Sequence, residues 1–236
     1  MKTVAIIPAR AGSKRIPLKN IKTFAGKPMI AHSILALQQS ELFDRIVVST
    51  DSEEIATVAK GYGAEVPFLR PKELSDDHTP TAPVLLHALR FLMESGCDVD
   101  YVCCLYAAAP FVRAEYIRKG LELLRKRGSS AAFSVTTFPF PIFRALKIIE
   151  TGHLQMFWPE YELTRSQDLP HAYHDAGQFF WVDAKTFLER PRLYAPDALP
   201  VILPRHLVQD IDTPEDWARA ELMYQALELA GATNRE

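Results

Sequence analysis

The sequence predicts an α/β protein built on a mostly parallel, mixed sheet. Short apolar runs alternate with stretches of helical periodicity along most of the chain. The length, 236 residues, suits one large domain, 1–236, with room for an insertion. At this size roughly 70–75% of the unfolded surface can be buried, so a core forms without disulfides or a structural metal.

Residues 4–7 read as the first strand. Residues 27–39 follow as a helix, with Pro28 near its start and Ile30, Ile34, Leu35 and Leu37 at helical spacing. Residues 45–50 form a second strand, after which Asp51 caps a helix with Glu54 in a capping-box position. Gly61 and Gly63 end that helix, and 65–68 make a short third strand. Residues 70–81 are rich in Pro, Asp and Thr and are long for a plain connection. A helix resumes near Pro83 with Leu85, Leu86, Leu89 and Leu92 apolar, and 101–106 read as a buried central strand. Ile117, Leu121 and Leu124 make the inner face of the next helix; Arg118, Arg125, Lys126 and Arg127 make a solvated outer face. Residues 131–137 are another strand.

The pattern then changes. Residues 139–175 combine Pro-rich turns, a hairpin around Thr151-Gly152 and the aromatics Phe143, Phe157, Trp158 and Tyr161. This inserted segment is too apolar for a free loop and reads as an interface. Residues 178–182 and 201–203 return as strands. Thr213, Pro214, Glu215 and Asp216 signal the start of the last helix.

Composition excludes several classes. Lys+Arg 27 against Asp+Glu 29 gives a net charge of −2, which argues against sequence-independent nucleic-acid binding. Cys97, Cys103 and Cys104 fit neither a disulfide framework nor a zinc set. The N-terminus has no signal-peptide pattern, and no apolar run spans a membrane, so a soluble, cytoplasmic protein is expected.

Chemistry concentrates in two segments. Arg10, Lys14, Arg15 and Lys19, with Lys22 just beyond, follow the carboxyl end of the first strand, where open α/β sheets bind ligands. Gly12 and Ser13 would let backbone N–H groups face a phosphate there. The loop lacks Walker A spacing, and a solvated basic loop is its plainer reading. The second segment is Gln209-Asp210-Ile211-Asp212-Thr213. In an extended chain Asp210 and Asp212 share a face and suit a Mg²⁺ held jointly with phosphates. The same spacing also suits a capping Asp212 and a surface Asp210.

The loop, read as Ile7-Pro8-Ala9-Arg10-x-Gly12-Ser13-Lys14-Arg15-x-Pro17-x-Lys19-Asn20, resembles the signature of the CMP-sugar-acid cytidylyltransferases, the CMP-sialic acid synthetase group. Val48-Ser49-Thr50-Asp51, Arg70-Pro71-x-Glu73-Leu74, Pro110 and Asp210-Ile211-Asp212-Thr213 are similar to that family's landmarks, in order. Leu105-Tyr106-Ala107-Ala108-Ala109-Pro110 departs from the Leu-Gln-Pro-Thr-Ser-Pro of the N-acetylneuraminate branch. His174-Asp175-Ala176-Gly177 stands for its Asn-Gly-Ala. With Thr164-Arg165-Ser166-Gln167-Asp168, these stretches resemble the branch acting on pseudaminic acid.

The resemblance implies a Rossmann-like nucleotidyltransferase fold with an inserted dimerisation segment. It implies that CTP and a nonulosonic acid, pseudaminic acid, give the CMP-sugar and diphosphate, with Mg²⁺ as cofactor and a homodimer as the working form. By matched position, Arg10, Gly12, Ser13, Lys14, Lys19 and Asn20 hold the triphosphate, and Arg70, Thr79 and Thr81 the cytidine. Asp210 and Asp212 anchor the metal and, with Lys19, form the catalytic set. Tyr106, Arg165, Gln178 and Phe179 are the sugar-side candidates, Arg165 acting across the dimer. Rival substrates are N-acetylneuraminate, legionaminate and Kdo, and a rival class is a CTP-binding protein without turnover.

Overall fold

The computed structural model describes residues 1–233. The chain begins with β1 (Thr3–Pro8), a small hairpin of β2 (Thr23–Phe24) and β3 (Lys27–Pro28), and α1 (Met29–Ser40). There follow β4 (Arg45–Ser49), α2 (Glu53–Gly61), α3 (Thr81–Glu94), β5 (Tyr101–Leu105), α4 (Ala114–Arg127) and β6 (Ala131–Thr137). A second hairpin, β7 (Leu146–Ile148) and β8 (Leu154–Met156), precedes β9 (Tyr173–Asp183), α5 (Ala184–Glu189), β10 (Leu199–Ile202) and α6 (Pro214–Thr233).

Six strands form the central sheet in the order β10-β6-β9-β5-β1-β4. β1 runs parallel to β4 and β5, β10 runs parallel to β6, and β9 is antiparallel to both its neighbours. The expected mixed, mostly parallel sheet is what forms. Strand alternation divides its apolar residues between two layers. Phe179 and Trp181 of β9 pack with Ile34 of α1 and Ile117 and Leu121 of α4. Phe180 and Val182 face the other side, with Leu85 and Leu89 of α3 and Phe187 of α5. Cys103 and Cys104 of β5 are buried and unbridged, and burial pushes both thiols up.

A third cluster carries the site's acidic segment. Phe24, Met29 and Phe111 pack against Ile211 and against Trp217 and Ala220 of α6. Thr213 starts α6: its hydroxyl accepts the Asp216 N–H at 3.2 Å, and Asp216 accepts the Thr213 N–H at 2.9 Å. This reciprocal box satisfies two donors at the helix end.

Several expected boundaries move. The first helix begins at Met29, because Ala25 and Gly26, at φ 46 and 79, make the tight turn that puts Lys27 and Pro28 in a hairpin arm. Ser52, not Asp51, caps α2, its hydroxyl accepting the Ile55 N–H at 3.3 Å. Asp51 turns back to accept the Ala11 N–H at 2.9 Å. Residues 65–68 make no full strand; only single bridges, Val47 to Glu65 and Thr50 to Leu69, form beside β4.

Within 139–175 the expected hairpin closes through Gly152 at φ 82. The segment leaves Phe140, Ile148, Leu154, Phe157 and Leu163 exposed, Leu163 at 95%. No helix among the described residues is long and apolar enough to cross a membrane.

Candidate active site

A cleft of about 720 Å³ opens at the carboxyl ends of β1 and β5. One wall is the loop after β1. Ile16 is buried in the third cluster, Asn20 Nδ2 donates to the Arg10 carbonyl at 2.9 Å, and Asp51 holds Ala11. These ties leave the loop's cations outward: Arg10, Lys14, Arg15 and Lys19 all line the cleft. Ser13 and Asn20 line it too, but the Ser13 N–H is engaged by the Ala11 carbonyl at 2.8 Å. Gly12 is exposed and lies outside the lining residues, because the loop is braced by side chains instead of wrapping its amides around a centre.

Across the cleft stand Asp210 and Asp212. They belong to an extended segment outside the sheet, and buried Ile211 between them turns both carboxylates toward the cleft. Asp212 accepts from Arg15 at 2.6 Å and Lys19 at 3.3 Å, and Lys19 Nζ also donates to the Ile211 carbonyl at 2.7 Å. Residues almost 200 positions apart are thus tied together. Desolvation in the cleft, and then the neighbouring Asp212 charge, raises the Asp210 carboxyl above its usual value.

The 70–81 loop closes the opposite side. Arg70 is buried; its Nε donates to Ser75 Oγ at 3.2 Å, and burial lowers its guanidinium pKa. Asp76 accepts the Thr79 N–H at 2.6 Å and the Thr79 hydroxyl at 2.7 Å, fixing the turn. Asp77 pairs with Arg10 at 2.9 Å and with Lys14; these contacts, Lys14 first, hold its carboxyl below the usual range. Thr81 Oγ1 meets the Tyr106 hydroxyl at 3.3 Å, and burial pushes that phenol up. Arg70, Thr79, Thr81 and Tyr106 all line the cleft.

The other sugar-side candidates lie elsewhere. Phe179 is fully buried in the core against α4, because its strand position faces the helix layer. Gln178 is buried, and its Nε2 donates to the Leu207 carbonyl at 2.6 Å. Arg165 is exposed on the insert and pairs with Asp168 at 2.6 Å. The residues of β9 that do line the cleft are Asp175 and Gly177.

A family model described as Cytidylyltransferase matches residues 4–226. The chain belongs to the cytidylyltransferase family. It is 43% identical over 225 residues to the pseudaminic acid cytidylyltransferase of Campylobacter jejuni subsp. jejuni serotype O:2, covering 95% of this chain and 97% of that one. It is 35% identical over 228 residues to the CMP-N,N'-diacetyllegionaminic acid synthase of Legionella pneumophila subsp. pneumophila, covering 95% and 97%. A solved CMP:2-keto-3-deoxy-manno-octonic acid synthetase, complexed with CTP, shares the fold at a TM-score of 0.69 and 18% identity. That match covers 96% of this chain and 100% of the other.

Five cationic and five acidic side chains line the cleft of this cytidylyltransferase among the described residues. A polyanion bound there would meet Asp210 and Asp212 without surplus cationic charge to screen them. Two carboxylates on one segment, with the Asp210 carboxyl raised by desolvation and then by Asp212, are the donor chemistry that a divalent cation takes. No group of three or more His, Cys, Asp or Glu among the described residues is placed to hold a metal by itself. Sequence reasoning missed Asp175 and the roles of Asp76 and Asp77. Asp77 meets the loop's cations, while the Asp76 carboxylate caps its own turn at Thr79.

Proposed function

We propose that this chain transfers the cytidylyl group of CTP to the anomeric hydroxyl of a nonulosonic acid, pseudaminic acid before others, releasing diphosphate. The observation that carries the reaction is the meeting of the basic loop with Asp210 and Asp212 in one cleft. The choice of sugar is supported by the 43% identity to a pseudaminic acid cytidylyltransferase, against 35% to a legionaminate enzyme.

In-line attack forms the bond from the anomeric oxygen to the α-phosphorus as the bond to the β-phosphate oxygen breaks. The hydroxyl's proton leaves to water. Such chemistry needs positioning and charge neutralisation more than a protein nucleophile. Arg10, Lys14 and Lys19 bind the triphosphate, exchanging Asp77 and Asp212 for phosphate oxygens. Arg70, Thr79 and Thr81 fix the cytidine end. Asp210 and Asp212 hold Mg²⁺, which when bound supplies Lewis-acid stabilisation of the charge building on the α-phosphate. Tyr106 and Asp175 border the acceptor end. CTP as substrate supports the cytoplasm as the working compartment.

The exposed apolar insert supports a homodimer through 139–175, with Arg165 reaching the neighbouring cleft to meet a sugar carboxylate. The test of the reaction is diphosphate release from CTP in the presence of pseudaminic acid. Release that depends on the acid supports the reading, and none sinks it.

A further inference from the structure

Strand β9 is longer than the partner it follows. Phe133 and Val135 of β6, two positions apart, pair with Phe180 and Asp175 of β9, which are five apart. The surplus forms a bulge in which Gly177 adopts φ 64 and the Phe179 N–H goes to the Ser134 hydroxyl at 3.1 Å. Bulges re-aim side chains. Here the bulge turns Asp175 into the cleft and Gln178 inward.

Asp175 is held from both sides. Its Oδ1 accepts the Gly177 N–H at 2.8 Å, and its Oδ2 accepts the Tyr194 hydroxyl at 2.6 Å. Tyr194 lies outside the cleft lining, on the connection between α5 and β10, its ring set edge-on to Phe133 at 5.3 Å and Phe180 at 5.4 Å. Burial, and then the Asp175 carboxylate, pushes its phenol up to about 12, so it donates at neutral pH. An ionised carboxylate is acceptor-only, with about four lone-pair sites. The Tyr194 and Gly177 donors take one site on each oxygen, and the rest remain for donors in the cleft.

We propose that Tyr194 is a positioning residue that fixes Asp175 as an acceptor for hydroxyl or acylamino N–H groups of the acid sugar. The proposal rests on the function proposed above. Without the Tyr194 hydroxyl, the carboxylate keeps one tether and must be ordered when the sugar binds, which weakens affinity for that substrate alone.

The test is a kinetic cycle of the full-length enzyme with Tyr194→Phe, Asp175→Ala and the double variant, measuring both KM values and kcat with CTP and pseudaminic acid. Phenylalanine keeps the ring contacts, and Asp175→Asn replaces the alanine variant should that one not fold. Tyr194→Phe should raise the acid-sugar KM by about fivefold, with the CTP KM and kcat within about twofold. In the Asp175→Ala background it should do nothing further. An unchanged acid-sugar KM, an equal rise for both substrates, or the same rise without Asp175 overturns the proposal. A wild-type enzyme inactive with every acid sugar overturns the function reading itself, a failure seen before any variant is compared.

Discussion

Asp212 is where two distant parts of the chain meet, and its neighbours predict how its loss is felt. It neutralises Arg15 and Lys19, two cations that also face the cleft. Asp212→Ala frees both for phosphate, so CTP affinity should hold or tighten while kcat falls by about 100-fold or more. Isothermal titration beside steady-state kinetics separates the two, and a variant with normal kcat defeats the metal assignment. Asp197 gives a pH prediction. The Ser130 hydroxyl, and then its N–H at 2.7 Å, hold the Asp197 carboxyl below its ordinary value. Stability from a depressed carboxyl is complete above the unfolded pKa and is lost as pH falls through the folded one. The stability gap between wild type and Asp197→Asn should therefore be largest near neutrality and shrink below about pH 4 in urea titrations. At this scale the sequence revealed the charged residues but not their aim. Phe179 and Gln178 were sugar candidates by residue type and resemblance. Alternation places Phe179 with Trp181 in the helix layer, and the β9 bulge, whose one local sign is Gly177, turns Gln178 inward.

Elements were more legible where one physical cause dominated. The start of α6 followed from Thr213, Pro214 and Asp216, and the buried strands from their apolar runs. The hairpin before α1 was hidden because Pro28 fits a first helical turn as well as a strand arm. Helix α4 hides a further constraint. Gly120 faces Trp181, whose ring stacks on Phe43 at 5.3 Å and whose Nε1 donates to the Ile117 carbonyl at 2.9 Å. A Cβ at Gly120 would lie 2.5 Å from that ring, which has no room to retreat. Alanine gains about 1 kcal/mol of helix propensity, whereas overpacking costs about 1–3 kcal/mol. Gly120→Ala should therefore destabilise the protein, with a lower urea midpoint at unchanged slope; a raised midpoint would mean that the layer yields.

At the scale of the whole molecule the charge balance is repeated in one cleft, where cations from the first loop face carboxylates from the 70–81 loop and the 210–212 segment. That pairing was only half visible beforehand, since Asp77 and Arg10 are neighbours in space but not in sequence. Segment 139–175 leaves Ile148, Leu154 and Leu163 exposed, and the homodimer proposed through it makes a mass prediction. Wild type should sediment at twice the 26.6 kDa chain mass, and Ile148→Glu with Leu163→Glu at the single mass. A monomeric wild type removes the dimer. The central claim is the choice of acid sugar in a cytidylyl transfer. Its most direct test is a competition, with limiting CTP offered equal amounts of pseudaminic, legionaminic and N-acetylneuraminic acids and the products resolved by NMR. CMP-pseudaminic acid should dominate with stoichiometric diphosphate; a dominant product from either other acid, or no CMP-sugar at all, would contradict the account.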